Sequence, residues 1–180
     1  MPTIAHNLID GLKERDASFF SALQGEDDLG IVIRAHIHIE HELQQFVLWA
    51  APKAKHVKFS EMDFAGTLRL ALTLGLHDEF ATALRAIGGL RNRLAHRLDM
   101  RLGDQEVSDL YKALGPQAKH IVQATYAKVR SDSPTVAPPK NPKDLEPRDL
   151  ATLCFIAVRG GVIVERLRVE GKLHAKEIDT

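Results

Sequence analysis

Apolar residues recur at helical spacing along almost the whole chain, and this periodicity constrains the fold more than any other feature. They return every three or four positions, which places them on one face of an α-helix. Acidic residues, prolines and glycines divide the pattern at positions typical of helix starts and stops. The pattern predicts helices over about 4–24, 28–51, 61–74, 78–96, 104–114, 117–130 and 147–170.

The segment 28–51 is the one place where the pattern also resembles a strand. Isoleucines alternate there with polar residues, as in Ile37-His38-Ile39. The alternation slips at Arg34-Ala35-His36, and the apolar positions over 43–50 return to helical spacing, so we predict a helix. Because no hairpin is recognisable elsewhere, the fold class is all-α: an antiparallel helical bundle of about six to seven helices.

The length and the proline content predict how the chain is organised. A chain of 180 residues suffices for one domain with a hydrophobic core and is short for two. We expect residues 1–130 to form the core of the helical bundle. Residues 131–147 hold five of the eight prolines and lack apolar periodicity, which predicts an extended, proline-rich connector. Residues 148–180 then supply a C-terminal helix that packs on the bundle or on a partner subunit.

Local signals refine the helix boundaries. Ser60 is a candidate N-cap, with Asp63 at the position where a capping box usually has Glu, and Gly75 is placed to end the helix that follows. The pair Gly88-Gly89 falls inside the next helix, where each glycine costs roughly 1 kcal/mol relative to alanine. A close approach by another backbone would offset that cost, so we expect a tight contact there.

Composition narrows the class of protein. The formal net charge is zero, so the chain has no overall field to attract nucleic acid, although five arginines fall between positions 85 and 101. The single cysteine, Cys154, is expected to be a buried thiol. The N-terminus lacks a signal-peptide pattern, and Arg159 interrupts an apolar stretch that is too short for a membrane span. We predict a cytoplasmic protein with no membrane contact.

Arg91, Asn92 and His96 are the candidate site residues. Arginine offers a fixed fork of donors, asparagine a directional amide and histidine a group that titrates near neutrality, a combination that suits a phosphate. On a helix, Arg91 and His96 lie about 140° apart around the axis, so they converge on one ligand only near a helix end or under a partner. Spacing alone decides little, because an Arg with a His five to seven positions later occurs three times.

A second polar cluster follows the isoleucines of the segment 28–51. His36 is placed to pair with Glu40, four residues later on a helix. The cluster offers no matching Glu-x-x-His pair, so we predict a polar helix face, with no metal and no cofactor. The residues that share this face are His38, His41, Glu42 and Gln45.

The order of the segments carries a family resemblance. A predicted helix at 27–49, which begins with acidic residues, is followed by the segment Ala71-Leu72-Thr73-Leu74-Gly75-Leu76. The pair Arg91-Asn92 comes next, and His96 lies four residues after Asn92. This succession resembles the mannitol operon repressor family and, more broadly, the HEPN-type helical domains, whose shared mark is an arginine, a polar residue and a later histidine. The resemblance covers residues 20–115, and Gly88-Gly89 and the proline-rich connector depart from it.

The resemblance implies a HEPN-like core of four or more helices, commonly dimeric, with the arginine–histidine segment near the dimer interface. Like the mannitol repressor branch, the chain is then a regulatory protein that acts through protein partners. Direct DNA reading is not expected, since Leu84, Ile87 and Leu90 direct the helix over 78–96 towards the core. Many HEPN proteins are instead metal-independent ribonucleases with one site built from two protomers. The alternative is therefore a toxin-like endoribonuclease that cleaves RNA through Arg91 and His96.

Two further expectations concern assembly and the motif itself. Apolar residues on more than one side of the segment 31–49 imply burial beyond one bundle face, so we predict a symmetric homodimer. Leu90 and Leu94 are expected in the core beside the motif. Three roles stay open for Arg91 and His96: structural hydrogen bonding, catalysis, and binding of a small ligand or nucleotide.

Overall fold

The computed structural model describes residues 26–96, 101–131 and 141–171, together with Ser18, Phe19, Ser21 and Leu23. All the regular structure in these ranges is helical, which confirms the all-α class. Short 3₁₀ turns occupy parts of the connections. The α-helices of the described ranges are α1 (Asp28–Ala50), α2 (Phe64–Thr73), α3 (Glu79–His96), α4 (Asp104–Ala113), α5 (Pro116–Ser131) and α6 (Pro147–Val169).

Parts of three predicted segments lie outside the described residues. The predicted first helix is described only at Ser18, Phe19, Ser21 and Leu23, all of which are helical. Residues 132–140 of the predicted connector and residues 172–180 at the C-terminal end lie outside as well. Within the described part of the connector, a 3₁₀ turn at Pro142–Asp144 leads into α6.

The two longest helices, α1 and α6, have 23 residues each and form the centre of the bundle. α1 packs mainly against α6 and also contacts α2 and α3, whereas α6 contacts α4 and α5. α3 and α4 also contact each other, so the outer helices pack around the central pair and leave one side of α1 exposed. Large, fully buried side chains from several helices fill one continuous core; they include Phe46, Phe155, Leu84, Ile87, Leu90 and Leu110.

The ambiguous segment is a helix, as predicted. Asp27 caps the start of α1, where its side chain accepts a hydrogen bond from the Gly30 N–H at 2.7 Å. Ile31 and Ile39 are buried, whereas Ile37 is exposed. Burial therefore follows the helical period and not the alternation of apolar and polar residues in the sequence. The helix ends at Ala50, two residues before Pro52.

The start of α2 differs from the prediction. Asp63, and not Ser60, is the N-cap, since its carboxylate accepts a hydrogen bond from the Gly66 N–H at 2.7 Å. The assignment of Ser60 was wrong because that residue lies inside a separate 3₁₀ turn, Phe59–Glu61, which ends before α2 begins. The end of α2 is as predicted: Gly75 follows it with a φ of 101°, a conformation that favours glycine.

Two pairs of neighbouring glycines lie inside helices: Gly88-Gly89 in α3 and Gly160-Gly161 in α6. In each pair, an aromatic ring packs so close to one glycine that a larger residue would not fit. A Cβ atom at Gly88 would lie 3.0 Å from Cδ1 of Phe64, and one at Gly161 would lie 2.6 Å from Cζ of Phe80. The contact expected at Gly88-Gly89 is therefore present, but a ring makes it and not a backbone. Gly89 has no such neighbour, since a Cβ there would meet only the end of an arginine side chain at 3.5 Å.

Candidate functional site

The arginine–histidine motif lies in the last turns of α3, which ends at His96. Leu90 and Leu94 are buried in the core on one side of this part of the helix, as predicted. Arg91, Asn92 and His96 lie on the other sides and are exposed. Nη1 of Arg91 donates a hydrogen bond to Oδ1 of Asn92 at 2.9 Å, which holds the guanidinium beside the amide.

Arg91 and Asn92 line an open cleft of about 390 Å³ between α1, the start of α2, and α3. His96 does not line it. One chain therefore brings together two of the three predicted residues, and the third lies apart, consistent with the wide angle between Arg91 and His96. The other residues that line the cleft are His36, Glu40, Asp63, Phe64, Ala65, Leu68, Arg85, Gly88 and Gly89.

His36 is the buried histidine of the cleft. Its ring packs on the ring of Phe64, with 4.4 Å between the centroids, and Nδ1 lies 3.8 Å from Oε2 of Glu40. Burial, reinforced by the positive charge of Arg91, lowers the pKa of His36 from 6.5 to about 4. His36 is therefore neutral at pH 7 and contributes a polar ring edge to the cleft, but no charge.

Glu40 brings a partly buried carboxylate to the same cleft. Burial raises the pKa of Glu40 above its ordinary value, the charge of Arg91 lowers it in part, and the charge of Asp63 raises it further. Glu40 thus interacts through space with both Arg91 and Asp63. A cation bound near Glu40 would therefore stabilise its ionised form.

The cleft has an acidic side and a basic side. Glu40 and Asp63 supply the first, from α1 and from the cap of α2, whereas Arg85 and Arg91 supply the second, from α3. Among the described residues, no ion pair joins the two sides. Four charged residues of balanced sign therefore line the cleft without forming ion pairs with one another, and Asp63 also caps α2.

A separate ionic cluster connects α1 to α6. Arg159 Nη2 donates to Glu42 Oε1 at 3.2 Å, and Arg166 Nε donates to Glu42 Oε2 at 3.1 Å. All three side chains are buried, and Arg166 also pairs with Glu170. Arg159 lies in addition over the ring of Phe19, 4.7 Å from its centroid. Removing one partner of such a buried pair leaves an uncompensated charge, so loss of a single member of the cluster is costly.

The polar face predicted on α1 borders this cluster. His38, His41 and Gln45 line one pocket with Glu42, as the shared face implied, and the two arginines of α6 complete it. Each oxygen of the Glu42 carboxylate accepts a hydrogen bond from an arginine, so a cation at Glu42 would meet two guanidinium groups. Within the described ranges, no group of three or more potential metal ligands occurs together.

Sequence reasoning missed the arginine partners of Glu42 and the contribution of His36 to the cleft. The need for a partner of Arg159 could have been inferred from the sequence, because a charge inside an otherwise apolar helix requires a buried partner. Its partner lies 117 residues away in the chain, so spacing could not identify it. His36 and Arg91 come together only when α1 packs on α3, and no local pattern indicates that contact.

Exposed apolar side chains concentrate on α1. Of the five large hydrophobic residues that are exposed in the described ranges, four lie on this helix: Leu29, Ile37, Leu48 and Trp49. Leu29, Ile37 and Leu48 fall within about 100° around the helix axis, with the half-buried Ile33 between the first two. We refer to Leu29, Ile33, Ile37 and Leu48 as the α1 face.

Comparison of the chain with family models, with curated proteins and with solved structures returns no match. The resemblance to the mannitol repressor and HEPN families therefore stays a prediction from the order of the motifs. In the described ranges, no helix combines the length and the apolar character needed to cross a bilayer.

Proposed function

We propose that this chain is a regulatory protein that acts through protein–protein contacts, as the resemblance to the mannitol repressor branch implies, and that a second copy of the chain is its first partner. The observation that carries the proposal is the α1 face. Ile37 is 57% exposed in a fold whose other helices bury nearly all of their large apolar residues in the described ranges. Exposed apolar residues grouped on one face of a helix are typical of interaction sites.

The pattern of the α1 face favours a second copy over an unrelated protein. Leu29, Ile33 and Ile37 occupy the first half of the helix and Leu48 lies near its end, whereas Glu40 and Gln44 occupy the same side between Ile37 and Leu48. Leu29 and Leu48 are about 28 Å apart along the axis at 1.5 Å per residue. When two α1 helices pair antiparallel, Leu29 of each copy meets the partner's Leu48, so the same face serves both copies, as a two-fold dimer requires.

This pairing also gives the cleft a position in the dimer. The midpoint between Leu29 and Leu48 falls at residues 38–39, beside Glu40, which lines the cleft. The clefts of the two copies then lie close to the two-fold axis. An event at the cleft can therefore alter the dimer contact, which is the property that a regulatory protein needs.

Light scattering tests the proposal. The wild type at micromolar concentration should have about twice the 20.0 kDa mass of one chain. Ile37→Glu places a charge in the centre of the α1 face and should give the monomer mass. Val169→Glu is the matched control, because Val169 is an exposed apolar residue of α6, away from the α1 face, and it should leave the dimer intact. A monomeric wild type, or a dimer indifferent to Ile37→Glu, contradicts the proposal.

Ribonuclease activity is the second candidate, favoured by the exposure of Arg91 in an open cleft. In one chain His96 lies outside that cleft, so catalysis requires His96 of the second copy near the two-fold axis. The assay is cleavage of labelled single-stranded RNA in EDTA at high protein excess. We expect no robust cleavage, because the chain is neutral and poor in aromatic residues for stacking bases. Cleavage that falls by about 100-fold or more in both Arg91→Ala and His96→Ala would establish the ribonuclease instead.

A further inference from the structure

We propose that the cleft between α1, α2 and α3 binds a small zwitterion, namely an α-amino acid with an aliphatic side chain. The basic side of the cleft takes the carboxylate of the ligand, the acidic side takes its ammonium group, and the apolar wall takes its side chain. This binding site goes beyond the proposed dimer and stands on different observations.

The first observation is the balance of charge. Arg85 and Arg91 face Glu40 and Asp63 across an open space, and the described residues show no ion pair between the two sides. A simple anion would meet two carboxylates in this cleft, and a simple cation would meet two guanidinium groups. Only a ligand that carries both charges, close together, matches both sides at once.

The hydrogen bond within the motif prepares the basic side. Because Arg91 Nη1 donates to Asn92 Oδ1, the guanidinium is held beside a residue that itself lines the cleft. A guanidinium recognises a carboxylate through parallel N–H donors, and an oriented one loses less entropy when it binds. Burial raises the pKa of Glu40, and a ligand ammonium group beside Glu40 would favour its ionised form.

The apolar wall sets the kind of side chain. Phe64 and Leu68 line the cleft from α2, and the ring of the neutral His36 covers part of Phe64. This wall suits an aliphatic group better than a third charge, since burial of a charge without a partner is costly. The cleft volume of about 390 Å³ accommodates such an amino acid.

Calorimetric titration of the full chain tests the proposal, with L-leucine and L-valine as probes. N-acetyl-L-leucine lacks the ammonium charge and L-leucinamide lacks the carboxylate, so each should bind at least about tenfold more weakly than L-leucine. Inorganic phosphate distinguishes a plain anion site. Absence of binding by both amino acids, equal binding of N-acetyl-L-leucine, or tighter binding of phosphate overturns the proposal.

Three variants locate the site. Arg91→Gln, which removes one charge of the basic side, should weaken leucine binding by about tenfold or more, while the unfolding midpoint stays nearly equal because Arg91 is exposed. Glu40→Gln, which removes one charge of the acidic side, should also weaken binding by about tenfold. Arg93→Gln is the matched control, since Arg93 is an exposed arginine of the same helix that does not line the cleft. Binding unchanged in Arg91→Gln and Glu40→Gln overturns the assignment. Titration reports binding in either oligomeric state, so failure here leaves the dimer proposal standing.

Discussion

Replacing Gly161 by alanine should destabilise the fold, whereas the same change at the neighbouring Gly160 should stabilise it slightly. The new Cβ at Gly161 would lie 2.6 Å from Cζ of Phe80, and non-bonded carbons prefer about 3.5–4.0 Å, so the ring must move by about 1 Å. Phe80 is buried in the core and has little room to move. Overpacking of this kind costs about 1–3 kcal/mol, and the better helix propensity of alanine offsets about 1 kcal/mol of it.

Urea denaturation of the wild type and the two variants measures this difference. Gly161→Ala should lower the free energy of unfolding by up to about 2 kcal/mol, and Gly160→Ala should raise it by up to about 1 kcal/mol, with unchanged m-values. Adding Phe80→Leu to Gly161→Ala should reduce the penalty, because a smaller side chain relieves the contact. Equal stability of the two single variants would refute the packing of Phe80 of α3 against α6.

The core and the buried charges give three further predictions. Leu94→Ala should lower the free energy of unfolding by about 2–5 kcal/mol in the same assay, and an unchanged midpoint would mean that α3 faces another way. Glu42→Ala should cost about 3–5 kcal/mol, whereas a triple replacement of Glu42, Arg159 and Arg166 by apolar residues of similar size should recover most of that loss. Because the pKa of His36 is lowered from 6.5 to about 4 in the folded chain, its contribution to stability is complete above pH 6.5 and is lost as the pH falls towards 4, by up to about 3 kcal/mol. In His36→Phe the free energy of unfolding should depend less on pH between 6.5 and 4. If it falls with pH as steeply as in the wild type, titration of His36 is not the cause.

Helix positions could be predicted from sequence wherever the signal is local. The cap at Asp27, the glycine at Gly75 and the proline at Pro147 act within one turn of the helix ends that they define. Among the boundaries that the structure describes, the start of α2 was predicted wrongly, because two residues that can cap a helix, Ser60 and Asp63, lie three positions apart and Ser60 belongs to a separate 3₁₀ turn.

The candidate site could be predicted only in part. Exposure of Arg91 and Asn92 follows from the burial of Leu90 and Leu94 on the same helix, which the periodicity already indicated. The opposite wall of the cleft comes from α1 and α2, and only tertiary packing brings it to α3. The aromatic ring that requires Gly88 is likewise contributed from a distance in sequence, so the glycine signalled a close contact without identifying the partner.

The antiparallel pairing of α1 with α1 of a second copy is the central claim, and a cysteine cross-link tests it most directly. The native Cys154 is buried, and burial raises the pKa of its thiol to about 12, so it does not compete for a maleimide reagent. A chain with both Leu29→Cys and Leu48→Cys should be captured as a covalent dimer by a short bismaleimide, whereas each single variant should stay monomeric on denaturing gels. Equal cross-linking of the Leu29→Cys single variant, or no cross-linking of the double variant, would contradict the antiparallel dimer.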